Sequence, residues 1–275
     1  MSVACVPPPI GELLRGWRRR RNLSQLELAG EAEVSARHLS FLETGRARPS
    51  REMVIRLSEE LEVPLRERNE LLLAGGYAPA YAERSLDAEE MTVVRGAIDR
   101  FLRAHEPYPA VVVDRHHNLI SANDALDLLL VGVDPDLLAP PANGMRVALH
   151  PNGMAPRTLN LAEWSAHLLH RVRRDAQITG DPELQALYDE LVGYPGVAPA
   201  PPHTEIQAAD ILLPLRLRDT DGRGELAFIS TRSTFQTASD VTLSELAIEA
   251  FYPANAHTAM RLMREVAPGG ESSAA

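Results

Sequence analysis

Lysine is absent from the 275 residues, so all 28 basic side chains are arginine. A Walker-type phosphate loop and a pyridoxal Schiff base each need a lysine, and both enzyme classes are thereby excluded. Cysteine is reduced to Cys5, which rules out an internal disulfide and a multi-cysteine zinc site and suits a reducing cytoplasm, the expected location. No apolar run approaches the length of a membrane span, so no membrane partner is expected. Pro7, Pro8 and Pro9 interrupt the segment where a signal peptide needs continuous apolar residues. Neither a Gly-x-Ser-x-Gly elbow nor a Gly-x-Gly-x-x-Gly turn occurs, and carboxylates are too frequent for any pair to stand out as an acid/base dyad. The chain is expected to be no enzyme and to carry no cofactor.

What is present fits a globular protein: 45% hydrophobic and 24% charged residues. The length suits two domains, each with enough sequence for its own core. Charge is divided unevenly. Residues 1–77 hold 12 Arg against 11 Glu and stand at +1, so the remainder carries −11 of a total of −10. Only the N-terminal part can approach a polyanion without strong repulsion.

Ile10, Leu13, Leu14 and Trp17 recur at helical spacing, and the Arg18–Arg21 run closes that helix where cations suit its dipole. Ser24 and Glu27 have capping-box spacing and open a second helix to about Ala32. Ser35 caps a third, with Leu39 and Leu42 buried and Gly45 beyond its end. Met53, Leu57 and Leu61 mark a fourth, and Leu65, Leu72 and Leu73 a fifth before Gly75-Gly76. Five helices thus fill residues 1–77. Asp87 and Glu90 have capping spacing, and Met91, Val94, Ile98 and Phe101 predict a connecting helix within 78–106.

Residues 107–266 read differently. "AVVVDRHHNLISAN" (110–123) predicts two strands around a turn at Arg115–Asn118, in which His116 and His117 are expected to be solvated. A helix at 125–131, an irregular Pro/Gly-rich stretch at 135–156, and helices at 160–175 and 182–192 follow, with a loop at 197–202. Ile211, Leu213, Leu215 and Leu217 alternate with polar residues, and 225–235 is rich in β-formers. Leu246, Ile248, Ala250 and Tyr252 alternate with Glu245 and Glu249, which predicts a strand with the glutamates on its wetter face. A last helix at 255–266 precedes a tail, 267–275, expected to be disordered. His167 and His170, i and i+3 on one helix, are weighed as metal ligands with His150, but no metal site is expected.

Two short serine-capped helices joined by a tight turn are what a helix-turn-helix needs, the second lying in the major groove. "LSQLELAGEAEVSARHLSFLETGRARPS" (23–50) resembles the XRE/Cro-type unit through Ser24-Gln25, Ala29, Val34-Ser35, Leu39, Leu42-Glu43, Gly45 and Pro49-Ser50. It departs at Glu33, where the family places a left-handed glycine; a side chain there costs about 1 kcal/mol. The resemblance implies a double-stranded DNA operator as partner. It implies that Gln25 bonds phosphate or braces the recognition helix, that Ser35, Ala36, Arg37, Ser40 and Phe41 face the groove, and that Arg46 and Arg48 meet phosphates. Arg37 is the best candidate for reading guanine with its planar fork.

The acidic remainder resembles the ligand-binding domain of MmyB-like regulators, a PAS-like module. The segments that carry the likeness are "PAVVVDRHHNLISAN" (109–123), "LHPNGMAPRTLNLAEW" (149–164), "GDPELQALYDEL" (180–191) and "TLSELAIEAFYPANAHTAMRL" (242–262). This implies an apolar, fatty-acid-like small molecule as ligand. Val111, Val113, Leu213, Leu215 and Phe228 are expected to line the interior; His150, Arg157 and Asn160 are candidates for a carboxylate head, with Trp164 as a wall. The expected fold is therefore multidomain: an all-α five-helix DNA-binding domain (1–77) and an α/β PAS-like sensor. A homodimer is expected because operators of this kind are read by dimers. A protein-interaction module with no small ligand is the rival reading of the acidic domain.

Overall fold

The computed structural model describes residues 8–198, 212–220, 224–235 and 238–266. Cys5, Ile211, the end of the 197–202 loop and the 267–275 tail lie outside the described residues. The chain divides into two compact units, Met1–Arg84 with Gln177–Gly180 and Thr237–Ser244, and Ser85–Ala176 with Asp181–Gln236 and Glu245–Ala275.

Five helices run through the N-terminal residues described: α1 (Ile10–Arg20), α2 (Gln25–Glu31), α3 (Ala36–Glu43), α4 (Arg51–Glu60) and α5 (Leu65–Ala74). Three have serine caps: Ser24, Ser35 and Ser50 accept from the backbone N–H three residues on, and Glu27 returns the bond to complete a capping box at Ser24. Helix ends share one device. The chain turns through a left-handed residue, and the next N–H reaches back five residues, as from Val34 to Ala29 at 2.9 Å and from Arg46 to Phe41 at 2.8 Å. Gly45 and Gly76 serve this role at two ends; Asn22, Glu33 and Glu62 do so without being glycine. Glu33 (φ 53°) therefore holds the left-handed turn expected of it.

Leu14, Leu28, Leu39, Leu57 and Leu61 are fully buried at the centre of this unit, each contributing about 1.5–3 kcal/mol by leaving water. In α5 the core positions are Leu71 and Leu72, whereas Leu73 is exposed. Gly11 is where α1 meets α3 most closely, since a Cβ there would stand 2.4 Å from the Leu42 carbonyl oxygen. The arginine run turns inward: Arg18 pairs with Glu43, Arg21 donates to the Leu61 and Glu62 carbonyls at 2.8 and 2.7 Å, and Arg20 lies over the Trp17 ring.

The second unit is a sheet with helices on both faces. Its strands are β1 (Ala110–Val113), β2 (Leu119–Ala122), β3 (Leu215–Arg218), β4 (Glu225–Thr234) and β5 (Ala247–Pro253), all antiparallel in the order β2-β1-β5-β4-β3. One face is covered by α6 (Thr92–His105), which packs on β1 through Ile98 and Leu102. That helix belongs to the second unit's own core rather than standing apart as a connector. Nor does Asp87 cap it: Glu89–Met91 forms a separate tight turn, and the Thr92 hydroxyl donates to the Glu89 carbonyl.

The other face is covered by α7 (Asp127–Leu130), α8 (Pro135–Leu138), α9 (Gly144–Leu149) and the long α10 (Leu161–Thr179). Two of these short helices, α8 and α9, occupy the stretch expected to be irregular. Asp134 and Asn143 cap them through side-chain oxygens, and proline sits at the first position of α8 where its missing N–H is harmless. Helices α11 (Pro182–Val192) and α13 (Ala256–Val266) complete the described α-helices of this unit, while α12 (Val241–Glu245) falls almost wholly in the first.

In β5 both faces are covered, so alternation alone misassigns them. Ile248 and Ala250 lie on the face of Tyr252, whose ring meets His105 of α6 at 5.0 Å and is 37% exposed. The opposite set, Ala247, Glu249 and Phe251, points toward α10. Glu249 is thus an inward residue, not a solvent-facing one.

Candidate functional site

Two places in the molecule combine a fixed framework with side chains that the packing leaves unused. The first is the outer face of α3. Its inner positions Leu39, Leu42 and Glu43 are buried (0%, 1% and 3% exposed), which fixes the helix in place. Ser35 and Arg37 are exposed, and Ala36, Ser40 and Phe41 half-buried, on the face left over. The guanidinium groups of Arg37 and Arg46 stand 5.4 and 5.9 Å from the Phe41 ring, so this side chain is held between two cations at the surface. Arg46 and Arg48 are exposed on the following loop.

Beneath this face lies a closed polar clamp. Glu43 accepts from Arg18 Nε at 2.6 Å and Nη2 at 2.8 Å, and from Gln25 Nε2 at 2.8 Å. Burial works against the Glu43 carboxylate, but the bonds from Arg18 and Gln25 outweigh it and hold its pKa below the ordinary carboxylate range. Gln25 is therefore engaged in bracing α3 to α2, as Arg18 braces it to α1.

The second place is a cavity of about 80 Å³ between the inner face of the sheet and the helices α7, α9 and α10. Its wall is mostly aliphatic. Val111 and Val113 of β1, Leu215 of β3 and Trp164 of α10 all line it. Leu213 packs on the surrounding core and Phe228 is fully buried next to Leu215 in the ladder, but neither reaches the cavity.

The three residues expected to meet a head group stand elsewhere. Arg157 donates to the Val131 carbonyl at 2.7 Å and the Leu129 carbonyl at 3.3 Å, closing the end of α7. Asn160 bridges to β3, donating to the Pro214 carbonyl and accepting from the Arg216 N–H. His150 accepts from the Asn152 N–H and packs edge-on to Tyr194. Each side chain completes a backbone end or edge that sequence proximity to a Pro/Gly-rich loop did not reveal. His167, for its part, stacks on Trp164.

The cavity's polar end is made instead by His117, Arg171 and Glu249. His117 was expected in solvent, yet it is 1% exposed. Its turn is tied by Asp114, which accepts from the His116 and Asn118 N–H groups and from the Asn118 side chain, while His117 itself adopts a left-handed backbone (φ 65°) that swings the ring inward. His116 goes the other way and meets Asp181 at 2.8 Å. Both ring nitrogens of His117 lack a hydrogen-bond partner; the nearest carboxylate, Asp175, is 3.8 Å away. Burial, and then the charges of Arg171, Arg232 and His116, push the His117 pKa down to about 3, so the ring is neutral at physiological pH.

Arg171 Nη2 pairs with Glu249 Oε1 at 2.9 Å, leaving Arg171 Nε without a partner. The register explains the grouping: Glu249 is paired with Val111 on one side and Arg232 on the other, so the three share one face of the sheet, where Val111 and Glu249 line the cavity and Arg232 is exposed. Among the described residues no cluster of His, Cys, Asp and Glu is arranged to hold a metal ion. No described helix is long and apolar enough to cross a membrane.

Comparison with known proteins places both regions. The family model described as MmyB-like transcription regulator ligand binding domain matches residues 94–264, and the one described as Helix-turn-helix matches residues 14–68. No curated protein matches. Among solved structures, "Structure of an RNA-binding Light-Oxygen-Voltage Receptor" aligns with 94% of this chain at 13% identity and a TM-score of 0.25. The chain spans 62% of the length of that protein, and a likeness this slight has no bearing on fold or function.

Proposed function

The chain belongs to the MmyB-like transcription regulators, with that family's ligand-binding domain behind a DNA-binding helix-turn-helix, and on that premise we propose that it reads a specific operator through α3 and responds to an apolar small molecule held in the sensor cavity. The observation that carries the DNA half is the split of α3 into two faces. Leu39, Leu42 and the clamped Glu43 lock one side, and residues 35–37, 40 and 41 lie exposed or half-buried on the other. In this reading Arg37 donates two bonds to guanine, Phe41 touches a thymine methyl, and Arg46 and Arg48 position the unit on phosphates. Gln25 acts as a brace.

For the ligand, the support is the aliphatic lining and its enclosed polar end. Each methylene removed from water contributes about 0.8 kcal/mol, so an alkyl or fatty-acyl-like chain needs few polar contacts to bind. The volume of about 80 Å³ favours a short chain. A longer one enters by displacing Met145 and Met154, the most pliable side chains of the wall. A homodimer working in the cytoplasm follows from the operator-reading role, with half-sites about 34 Å apart on one face of the duplex.

The test is selection of bound duplexes from a random pool by the purified chain, followed by fluorescence anisotropy on the recovered sites. Recovery of a consensus that Arg37→Ala relaxes at one base step, with about 1–3 kcal/mol less discrimination there, supports the reading. Absence of duplex binding at low salt, or binding with no consensus, contradicts it.

A further inference from the structure

We propose that the sensor cavity selects an apolar ligand whose head group is uncharged and both donates and accepts hydrogen bonds, as a carboxamide or alcohol does, and that His117, Arg171 and Glu249 are the groups that recognise it. This rests on the reading of the cavity as a ligand site and goes beyond it by naming the head.

Unmet hydrogen bonding is the first ground. Buried polar groups are normally paired, and each exception needs an explanation. Here Nδ1 and Nε2 of His117 and Nε of Arg171 lack hydrogen-bond partners, Oε1 of Glu249 has the Arg171 ion pair at 2.9 Å and no further partner among the described residues, and all belong to residues lining one apolar cavity. Unpaired donors and acceptors stand side by side. A neutral imidazole offers one N–H and one lone pair, the guanidinium an N–H, and the carboxylate a lone pair. A head that only donates or only accepts satisfies half of them.

Charge is the second ground. Arg171 and Glu249 form an ion pair at 2.9 Å, so the polar end has no net charge to neutralise. A carboxylate entering to reach Arg171 meets Glu249 and displaces it into an apolar wall with its charge unpaired. An ammonium entering to reach Glu249 does the same to Arg171. Neither ion regains what it loses on leaving water, because the counter-charge it seeks is already engaged. The low pKa of His117 reinforces this, since the ring does not supply a cation for an anionic head.

The third ground is rigidity. His117 is held by the Asp114-tied turn, and Glu249 by its place in the central strand β5 between β1 and β4, so the constellation is preset rather than formed on binding.

Calorimetry on the full chain at neutral pH with four eight-carbon probes decides between heads: octanamide, octan-1-ol, octanoate and octylamine. The amide and alcohol are expected to bind at least tenfold more tightly than either ion. Glu249→Gln removes the anion facing the head and is expected to raise octanoate affinity at least tenfold; His117→Phe is expected to lower octanamide affinity about tenfold. The wild-type series suffices if either variant fails to fold. Octanoate or octylamine binding as tightly as octanamide overturns the head-group assignment and leaves the cavity a ligand site. Binding by none of the four overturns both.

Discussion

Each unit of this protein buries an Arg–Glu pair, and the two pairs are finished differently. In the N-terminal unit Glu43 accepts two bonds from Arg18 and one from Gln25, and no polar atom of that clamp is left over. In the sensor, Glu249 meets Arg171 at one short distance, and unpaired nitrogens of Arg171 and His117 face the same cavity. The closed pair holds a helix so that its far side can meet a partner. In the proposed reading the open pair is itself a surface for a ligand. Burial of charge is thus no guide to role until the hydrogen bonds around it are counted.

The largest expected effect tests that contrast with one substitution made twice. Glu43→Gln forfeits charge-assisted bonding to three donors and is expected to lower stability by about 3 kcal/mol, whereas Glu249→Gln, with one such contact, should cost about 1 kcal/mol. Chemical denaturation of the two variants checks the ratio, and equal losses would erase the distinction.

Acid comes next. His117 has a folded pKa of about 3, below its unfolded value of about 6.5, so between these pH values the unfolded chain binds more protons and stability falls as pH falls. At roughly 1.4 kcal/mol per pH unit, moving from pH 6 to pH 4.5 removes about 2 kcal/mol from the sensor. Glu43 behaves otherwise: with its pKa held below the ordinary range, its contribution persists until pH falls beneath about 4.3. The sensor should therefore melt first on mild acidification, and His117→Phe should flatten its pH slope. Thermal unfolding followed at several pH values reads both.

Smaller again is the helix cap. Ser35→Ala deletes the acceptor for the His38 N–H and is expected to lower N-terminal stability by about 1 kcal/mol in a thermal melt, with the sensor's transition unmoved. Last is Arg48→Ala, exposed on the loop after α3. It should weaken all duplexes alike and reduce the slope of log affinity against log salt by about one unit, with no change in preferred sequence.

The two regions also differ in how far their residues announce them. In the N-terminal unit, capping serines, leucine spacing and the arginine-bearing outer face of α3 were all readable, because helix contacts are local and recur every three or four residues. The inward turn of Arg18 and Arg21 was not, since their partners Glu43 and Leu61 are 25 and 40 residues away. In the sensor the strand segments were legible, but not which face of β5 turns inward. Period-two alternation places Glu249 outside if one face is wet; here α6 covers one side and α10 the other, so the rule loses its reference. His117 was hidden for a different reason. A polar turn predicts exposure, and only the left-handed backbone at that residue sends its ring under the sheet. The short helices α8 and α9 went unread because proline and glycine signal loops as readily as helix starts.

The measurement that bears most directly on the central contrast is a high-resolution crystal structure of the chain grown with octanamide. The account predicts the amide within hydrogen-bonding distance, about 2.7–3.2 Å, of a His117 ring nitrogen and of Arg171 or Glu249, with the alkyl chain along Val111, Val113 and Trp164. A head group lying instead at Arg157 or Asn160, or a cavity that stays closed with the three polar side chains bonded to one another, would contradict it.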